Sequence, residues 1–110
     1  MKEKLPQHFR EFQRDNADVA QAFEELGRRI HERGTLPERD RRLVKLGIAI
    51  GVNSEGAVHS AVRHALRAGC SPEDVQHAVR LAITTLGWPR AQAAMTWIED
   101  VLAEKPGAAG

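Results

Sequence analysis

The chain has 110 residues, which fits one compact domain and leaves no room for separate catalytic and cofactor domains. With 42% hydrophobic and 28% charged residues, it has the composition of an ordinary globular protein rather than of a disordered chain. Sixteen Lys and Arg residues against fifteen Asp and Glu residues leave a net charge of +1, so nucleic acid is not expected as a partner.

The segments that follow one another along the chain show helical periodicity and lack the alternation of apolar and polar residues that is typical of strands. The predicted fold class is therefore all-α, with about five to six helices. We expect an N-terminal arm or short helix over residues 1–15, a helical domain over 16–105, and a disordered tail over 106–110, which holds little apolar surface.

Two helices are predicted in the first half of the domain. Apolar residues spaced three and four apart over Val19–Ile30 indicate an amphipathic helix, and Pro37 suits the first turn of a second helix. The end of that second helix, Leu46–Val52, is apolar on every side and is expected to lie in the core. Gly47 and Gly51 would there let another backbone approach closely.

The junctions of the second half are strongly marked. Asn53 or Ser54 can cap a third helix, which Gly69 would end in a left-handed conformation. The segment Ser71–Asp74 forms a capping box with proline at the first helical position. Gly87–Pro89 then breaks the chain before a last helix.

Glu55 and His59 are the candidate acid–base pair of the third helix. They are spaced i, i+4 and fall at the edge of its apolar arc, where they could exchange protons with a substrate in a dry cleft. The alternative is an ordinary helix pair in which Glu55 complements the positive end of the helix dipole.

The histidines do not indicate a metal site. His59 and His64 are five residues apart, which separates them by about 140° around a helix, and no second Cys or His cluster completes a tetrahedral set. We therefore predict neither a metal nor an organic cofactor.

Cys70 is the single cysteine and cannot form an intrachain disulfide. Together with the charged N-terminus, this favours a cytoplasmic location. No apolar run is long enough to span a membrane, so no membrane partner is expected. Cys70 precedes a helix start that would favour a thiolate and peroxide chemistry. It could equally be the apolar contact that accompanies a glycine stop.

The order of these helices and junctions resembles the carboxymuconolactone decarboxylase and alkylhydroperoxidase D family. The resemblance covers about Val19 to Leu102 and is specific as a pattern of junctions rather than as a single motif. It is carried by four segments: Leu36–Ile50, Ser54–Gly69, Ser71–Val75 and Gly87–Ala91.

The resemblance implies packed helical hairpins that assemble into homotrimers or homohexamers, with an active site on the third helix near a subunit interface. In the peroxidase branch this site is a Cys-x-x-Cys-x-x-x-His motif with a glutamate on the preceding helix. Here the cysteine positions fall at Ser54 and Ala57, the histidine position at Ala61 and the glutamate position at Arg42. Every member of the thiol relay is replaced, so that mechanism cannot be carried over.

Three hypotheses follow for the function. The first is acid–base chemistry by Glu55 and His59 on a small, anionic substrate, with Ser54, Arg42 and His64 as substrate-binding residues. The second is peroxide reduction through Cys70 as a redox residue. The third is a noncatalytic homo-oligomer that serves as an interaction or ligand-binding scaffold.

Overall fold

The computed structural model describes residues 7–104, and every regular element within that range is an α-helix. This confirms the all-α class. The helices are α1 (Gln7–Asp15), α2 (Ala17–Glu32), α3 (Glu38–Val52), α4 (Glu55–Arg67), α5 (Pro72–Leu81), α6 (Ile83–Leu86) and α7 (Trp88–Leu102).

Helix α1 falls in the segment predicted as an N-terminal arm or short helix. The six helices from α2 to α7 lie within the predicted helical domain and agree with the expected five to six. One of them, the four-residue α6, arises because the chain turns at Ala82 between α5 and α7. The predicted disordered tail over residues 106–110 lies outside the described residues.

The chain divides into two compact units, and α1 with α2 belongs to the first of them. The two helices contact each other, and α2 carries ion pairs of Glu25 with Arg28 and Arg29, one turn further along. The predicted amphipathic helix is confirmed, with an apolar face that is open to solvent. The side chains of this face are each more than half exposed: Val19, Phe23, Leu26 and Ile30.

The second unit, Leu36–Glu104, holds α3 to α7. Helix α3 packs against α4 and α5, and α7 packs against α4, α5 and α6, so a single core lies between these helices. The boundary between the units falls before α3, and the helical domain predicted over residues 16–105 therefore includes α2 from the first unit. The largest fully buried side chains of the core are those of Leu46, Ile50, Val58, Val62, Val75 and Ile98.

The prediction that the end of α3 lies in the core is confirmed for one side of the helix and wrong for the other. Leu46 and Ile50 are buried, but Ile48 is 61% exposed and Val52 is 67% exposed. The close approach of another backbone predicted at Gly47 and Gly51 is not found either, since a Cβ atom added to either glycine would have no described neighbour within 4 Å. When a helical segment is apolar on every side, its sequence does not indicate which face is buried and which is exposed to solvent.

Local capping explains where α4 and α5 begin. The Ser54 hydroxyl accepts a hydrogen bond from the backbone N–H of Ala57 at 3.3 Å. The predicted capping box at α5 is confirmed, since Ser71 and Asp74 exchange side-chain-to-backbone hydrogen bonds of 2.8 and 3.0 Å. Gly69 has a φ of +96°, which supports the predicted left-handed stop after α4.

In the described part of the chain, no helix is both long and apolar enough to cross a membrane.

Candidate functional site

A cavity of about 380 Å³ lies between α3 and α4 in the second unit. Its apolar lining, which we call the wall, consists of short or β-branched side chains of both helices, and its polar lining, which we call the rim, consists of basic and hydroxyl side chains. The wall consists of Ile48, Ala49, Val52, Ala57 and Ala61, and the rim of Arg42, Lys45, Ser60 and His64.

The rim of this cavity, which we call the cationic cavity, carries two basic side chains. Arg42 and Lys45 are three residues apart on α3 and therefore share one face of the helix. The Nε of Arg42 donates a hydrogen bond of 3.0 Å to Glu38 one turn earlier. Because a guanidinium carries five N–H donors, this pair leaves donors for a ligand.

His64 adds an imidazole to the rim, the type of side chain suited to proton transfer near neutral pH. Its Nδ1 lies 3.4 Å from Nη1 of Arg67, one turn further along α4. Because a guanidinium only donates, Nδ1 acts as the acceptor in this contact. In the neutral ring the proton then resides on Nε2, which makes this nitrogen a hydrogen-bond donor.

The predicted substrate-binding residues separate into two groups. Arg42 and His64 come together on the cationic cavity, although they lie on different helices. Ser54 does not line it, and its hydroxyl caps α4 instead. The role predicted for all three stays a prediction.

Glu55 and His59 lie on the opposite edge of α4, beside α7. The Nε2 atom of His59 is 3.9 Å from Oε2 of Glu55 and 3.1 Å from Oδ2 of Asp100. The imidazole is 22% exposed, whereas both carboxylates are more than half exposed. The predicted pair is thus brought together, but neither residue lines the cationic cavity, and their catalytic role stays a prediction.

A second charged contact continues the same edge one turn further. Arg63 of α4 donates two hydrogen bonds, of 3.2 and 2.5 Å, to the carboxylate of Glu104. This guanidinium is the main reason that the pKa of Glu104 lies below its ordinary value. The pair joins α4 to the chain just beyond α7 at a part-buried position.

Helix α4 therefore has two polar edges separated by its buried stripe of Val58, Val62 and Ala65. The edge that faces α3 holds the cationic cavity, and the edge that faces α7 holds the carboxylates around His59. At 100° per residue, positions 57, 61 and 64 fall on one side of the stripe and positions 55 and 59 on the other. The two edges therefore form separate sites.

Cys70 is buried, with 4% of its surface exposed, and its Sγ lies 3.7 Å from the carbonyl oxygen of Arg39. The pKa of its thiol lies above the ordinary value, mainly because the thiol is buried. A buried thiol with a raised pKa is a poor nucleophile at neutral pH, so its surroundings favour the packing alternative over peroxide chemistry.

Lys45 belongs, with Arg39, Arg41 and Arg42, to a basic cluster that the sequence places at the start of the second helix, where a solvated face or intersubunit ion pairs are the alternative to an anionic-substrate site. The sequence pattern does not single out Asp100. Asp100 is 41 residues from His59, and no local signal in the sequence connects them.

A second, larger cavity of about 480 Å³ lies among α3, α5 and α6. Arg39 and Asp74 stand at its margin and form an ion pair with each other, and His77 also lines it. Most of the remaining lining is aliphatic, which leaves little charge available for an anionic ligand.

A five-helix unit with a ligand-sized cavity between its first two helices defines this part of the chain as an α-helical domain with a candidate small-molecule site. The model of the carboxymuconolactone decarboxylase family matches residues 17–100, and the chain belongs to that family. Comparison with curated protein sequences gives no significant match.

Proposed function

We propose that the protein binds a small organic carboxylate in the cationic cavity, as the substrate of chemistry that uses no thiol. The observation that carries this proposal is the combination of Arg42, Lys45 and His64 on the rim with an aliphatic wall. Such a site would hold a carboxylate at the rim and the apolar body of the ligand against the wall.

The position of the cavity supports the proposal independently of its charge. In the alignment based on the family resemblance, the relay glutamate corresponds to Arg42, the second cysteine to Ala57 and the histidine to Ala61. All three positions line the cationic cavity. Three of the family's four reacting groups are thus replaced, within one cavity, by an arginine and two alanines, while the fourth position, Ser54, lies outside it. This replacement favours an anionic substrate over a thiol cycle.

His64 is the group on this rim suited to proton transfer, because its neutral imidazole carries the proton on Nε2 while Nδ1 accepts from Arg67. We propose that it exchanges a proton with the bound carboxylate compound. Glu55 and His59 remain an alternative acid–base pair, and their distance of 3.9 Å is compatible with a weak interaction between them. Their position on the α7 edge favours His64 for a substrate in the cationic cavity.

Calorimetric titration with benzoate, a saturated lactone carboxylate and uncharged benzamide tests the binding step. We expect binding of both carboxylates and none of benzamide. Arg42→Gln should weaken the carboxylate affinity by about tenfold, since a hydrogen bond to a charged group contributes about 1.5–3 kcal/mol.

The matched control is Arg41→Gln. Arg41 is the residue before Arg42 on α3, is about as exposed, and pairs with the same Glu38 at 2.9 Å, but it does not line the cavity. Its variant should retain the carboxylate affinity within about twofold, because it removes one positive charge without removing a ligand contact. Equal losses in the two variants would contradict a specific role of Arg42.

The proton-transfer step is tested by release of carbon dioxide from carboxymuconolactone, the compound in the family's name. His64→Gln should lower kcat by about a hundredfold or more, in line with the loss of a general acid–base group. Carboxylate binding without any carbon dioxide release by the wild-type protein would contradict the role of His64 with this substrate. The result would then favour the noncatalytic ligand-binding hypothesis.

A further inference from the structure

Although the sequence alone predicts no metal site, we infer that Glu55, His59 and Asp100 form a binding site for a divalent transition-metal ion on the α4–α7 edge, separate from the cationic cavity. One ligand atom from each of the three side chains lies within 4.8 Å of the other two. Such a set offers one imidazole nitrogen and two carboxylate oxygens, which are ligand types that zinc and related ions bind in proteins.

The contacts of His59 leave one carboxylate without a good partner, because the Nε2 atom makes a hydrogen bond of 3.1 Å to Asp100 but lies 3.9 Å from Glu55. Oxygens from both carboxylates converge on the same ring atom, Nε2, at 3.1 and 3.9 Å. That nitrogen has a single hydrogen or a single lone pair and cannot serve both oxygens well. A metal ion between the three atoms would satisfy the nitrogen lone pair and both oxygens at once.

The two distances from Nε2 of His59 to the carboxylates are close to those between the ligands of a bound metal ion. Two ligand atoms that are each about 2.1 Å from a tetrahedral ion lie about 3.4 Å apart. The distance from Nε2 to Asp100 is slightly shorter than this value, and the distance to Glu55 is slightly longer. Glu55 is more than half exposed, so its side chain has room to close the remaining gap.

The framework that presents these ligands is well packed. His59 and Asp100 lie on α4 and α7, whose neighbouring residues Val58 and Ile98 are buried in the common core. One turn further, the two hydrogen bonds between Arg63 and Glu104 hold the same edge together. Metal binding would therefore require only side-chain adjustment and no rearrangement of the helices.

Three protein ligands leave at least one coordination position for water, which the exposure of both carboxylates permits. Zinc is the natural first probe because it accepts mixed nitrogen and oxygen ligands, and cobalt reports the ligand geometry through its absorption spectrum. Magnesium prefers oxygen ligands and octahedral geometry, so it should bind at least about tenfold more weakly than zinc.

The test is a calorimetric titration of the full chain with zinc chloride, accompanied by the visible spectrum of the cobalt form. We expect one zinc ion per chain. His59→Gln and Asp100→Asn should each weaken the zinc affinity by more than about tenfold and reduce the absorption of the cobalt complex. Zinc should also raise the melting temperature of the wild-type protein in proportion to the logarithm of its concentration.

Two matched variants exclude general effects of charge and of histidine number. Glu99→Gln removes the carboxylate adjacent to Asp100 on α7, and His77→Gln removes an exposed histidine of α5. Cys70→Ser addresses binding of zinc by the thiol. All three variants should retain the zinc affinity of the wild-type protein within about twofold.

Asp100→Asn changes an exposed side chain and is the variant least expected to disturb folding, so it keeps the test decisive if His59→Gln fails to fold. The inference is overturned if the wild-type protein binds no zinc, if Asp100→Asn retains wild-type affinity, or if the control variants lose affinity to the same extent. None of these outcomes depends on carboxylate binding in the cationic cavity.

Discussion

The surroundings of Cys70 favour packing over redox chemistry, the two interpretations that the sequence leaves open for this residue. A thiolate at a helix start needs access to solvent and a nearby positive charge. Arg39 does lower the pKa of the thiol, but burial, the larger effect, raises it. The net result is an enclosed thiol whose pKa lies above its ordinary value.

We therefore predict that Cys70 reacts slowly with a disulfide reagent such as dithionitrobenzoate. At pH 7 its rate should lie at least about tenfold below that of the same chain unfolded in urea, because both access and the thiolate fraction are reduced. Gln92→Cys, at an exposed position of α7 in a Cys70→Ser background, gives the rate of an accessible thiol in the folded protein. Equal rates for the two folded proteins would restore the peroxide hypothesis.

Sequence reasoning can place a residue where its position on one helix carries the information. Arg42 and His64 follow from the resemblance and from their places on two helices, and both line the cationic cavity. Asp100 does not follow, because its proximity to His59 depends on how α4 packs against α7. Contacts between distant helices are set by side-chain packing across the core, which local periodicity does not encode.

At the scale of single elements, helix α5 depends on the reciprocal hydrogen bonds of its capping box. Ser71→Ala removes the acceptor for the backbone N–H of Asp74 and should lower the free energy of unfolding by about 1 kcal/mol. Urea unfolding followed by circular dichroism measures this change. The matched control is Thr84→Ala, which removes an exposed hydroxyl of α6 and should cost less than about 0.5 kcal/mol. Equal costs for the two variants would contradict the capping role of Ser71.

The same capping box makes a pH dependence predictable. The pKa of the Asp74 carboxyl lies below its ordinary value. The largest cause is the hydrogen bond from the Ser71 backbone N–H, and the second is the hydrogen bond from the Arg39 guanidinium. A lowered folded-state pKa adds stability above the unfolded-state pKa of about 3.9, and this contribution is lost as the pH falls through the lower folded value. The stability difference between wild type and Asp74→Asn should thus be constant from about pH 5 to pH 7 and shrink below about pH 4.

A difference between these two proteins that stays constant down to about pH 2 would contradict this assignment. Glu73→Gln, one residue earlier in the same first turn, is the control for general charge effects at the helix start. The stability of this variant relative to wild type should depend less on pH, since the carboxylate that accepts from the Ser71 backbone N–H and pairs with Arg39 is that of Asp74.

Element boundaries are the most predictable part of the fold. The starts of α4 and α5 and the stop at Gly69 depend on side-chain caps and on one positive φ, which are properties of a few consecutive residues. The break at Ala82 has no such signal, since no proline or glycine marks it, and the sequence does not predict α6. The exposure of Ile48 is not predictable either, because burial depends on which other helix covers a face.

At the scale of the whole molecule, α3 leaves a row of apolar side chains open to solvent. Val44, Ile48 and Val52 are spaced four apart, so they form a continuous row along one side of the helix, and each is at least half exposed. A chain of 110 residues buries only about two-thirds of the surface of its unfolded form, and apolar faces left over are commonly buried between subunits.

We predict that a second copy of the chain covers this row and that the protein is a homo-oligomer, for which the family resemblance gives trimers or hexamers. Val44 does not line the cationic cavity, so Val44→Asp places a charge in the row without replacing a residue of the proposed carboxylate site. Light scattering after size-exclusion chromatography should give a multiple of the chain mass for the wild type and a smaller assembly for Val44→Asp. The reason is that an unpaired charge within an apolar interface is costly.

The control for this variant is Gln92→Asp, which introduces the same carboxylate at an exposed position of α7 and should leave the assembly unchanged. A wild-type protein that is monomeric at micromolar concentration would contradict the prediction. An oligomer that Val44→Asp leaves intact would place the subunit contact on another surface. The row on α3 would then have to be stable in water although it is apolar, because no other helix of the second unit covers it.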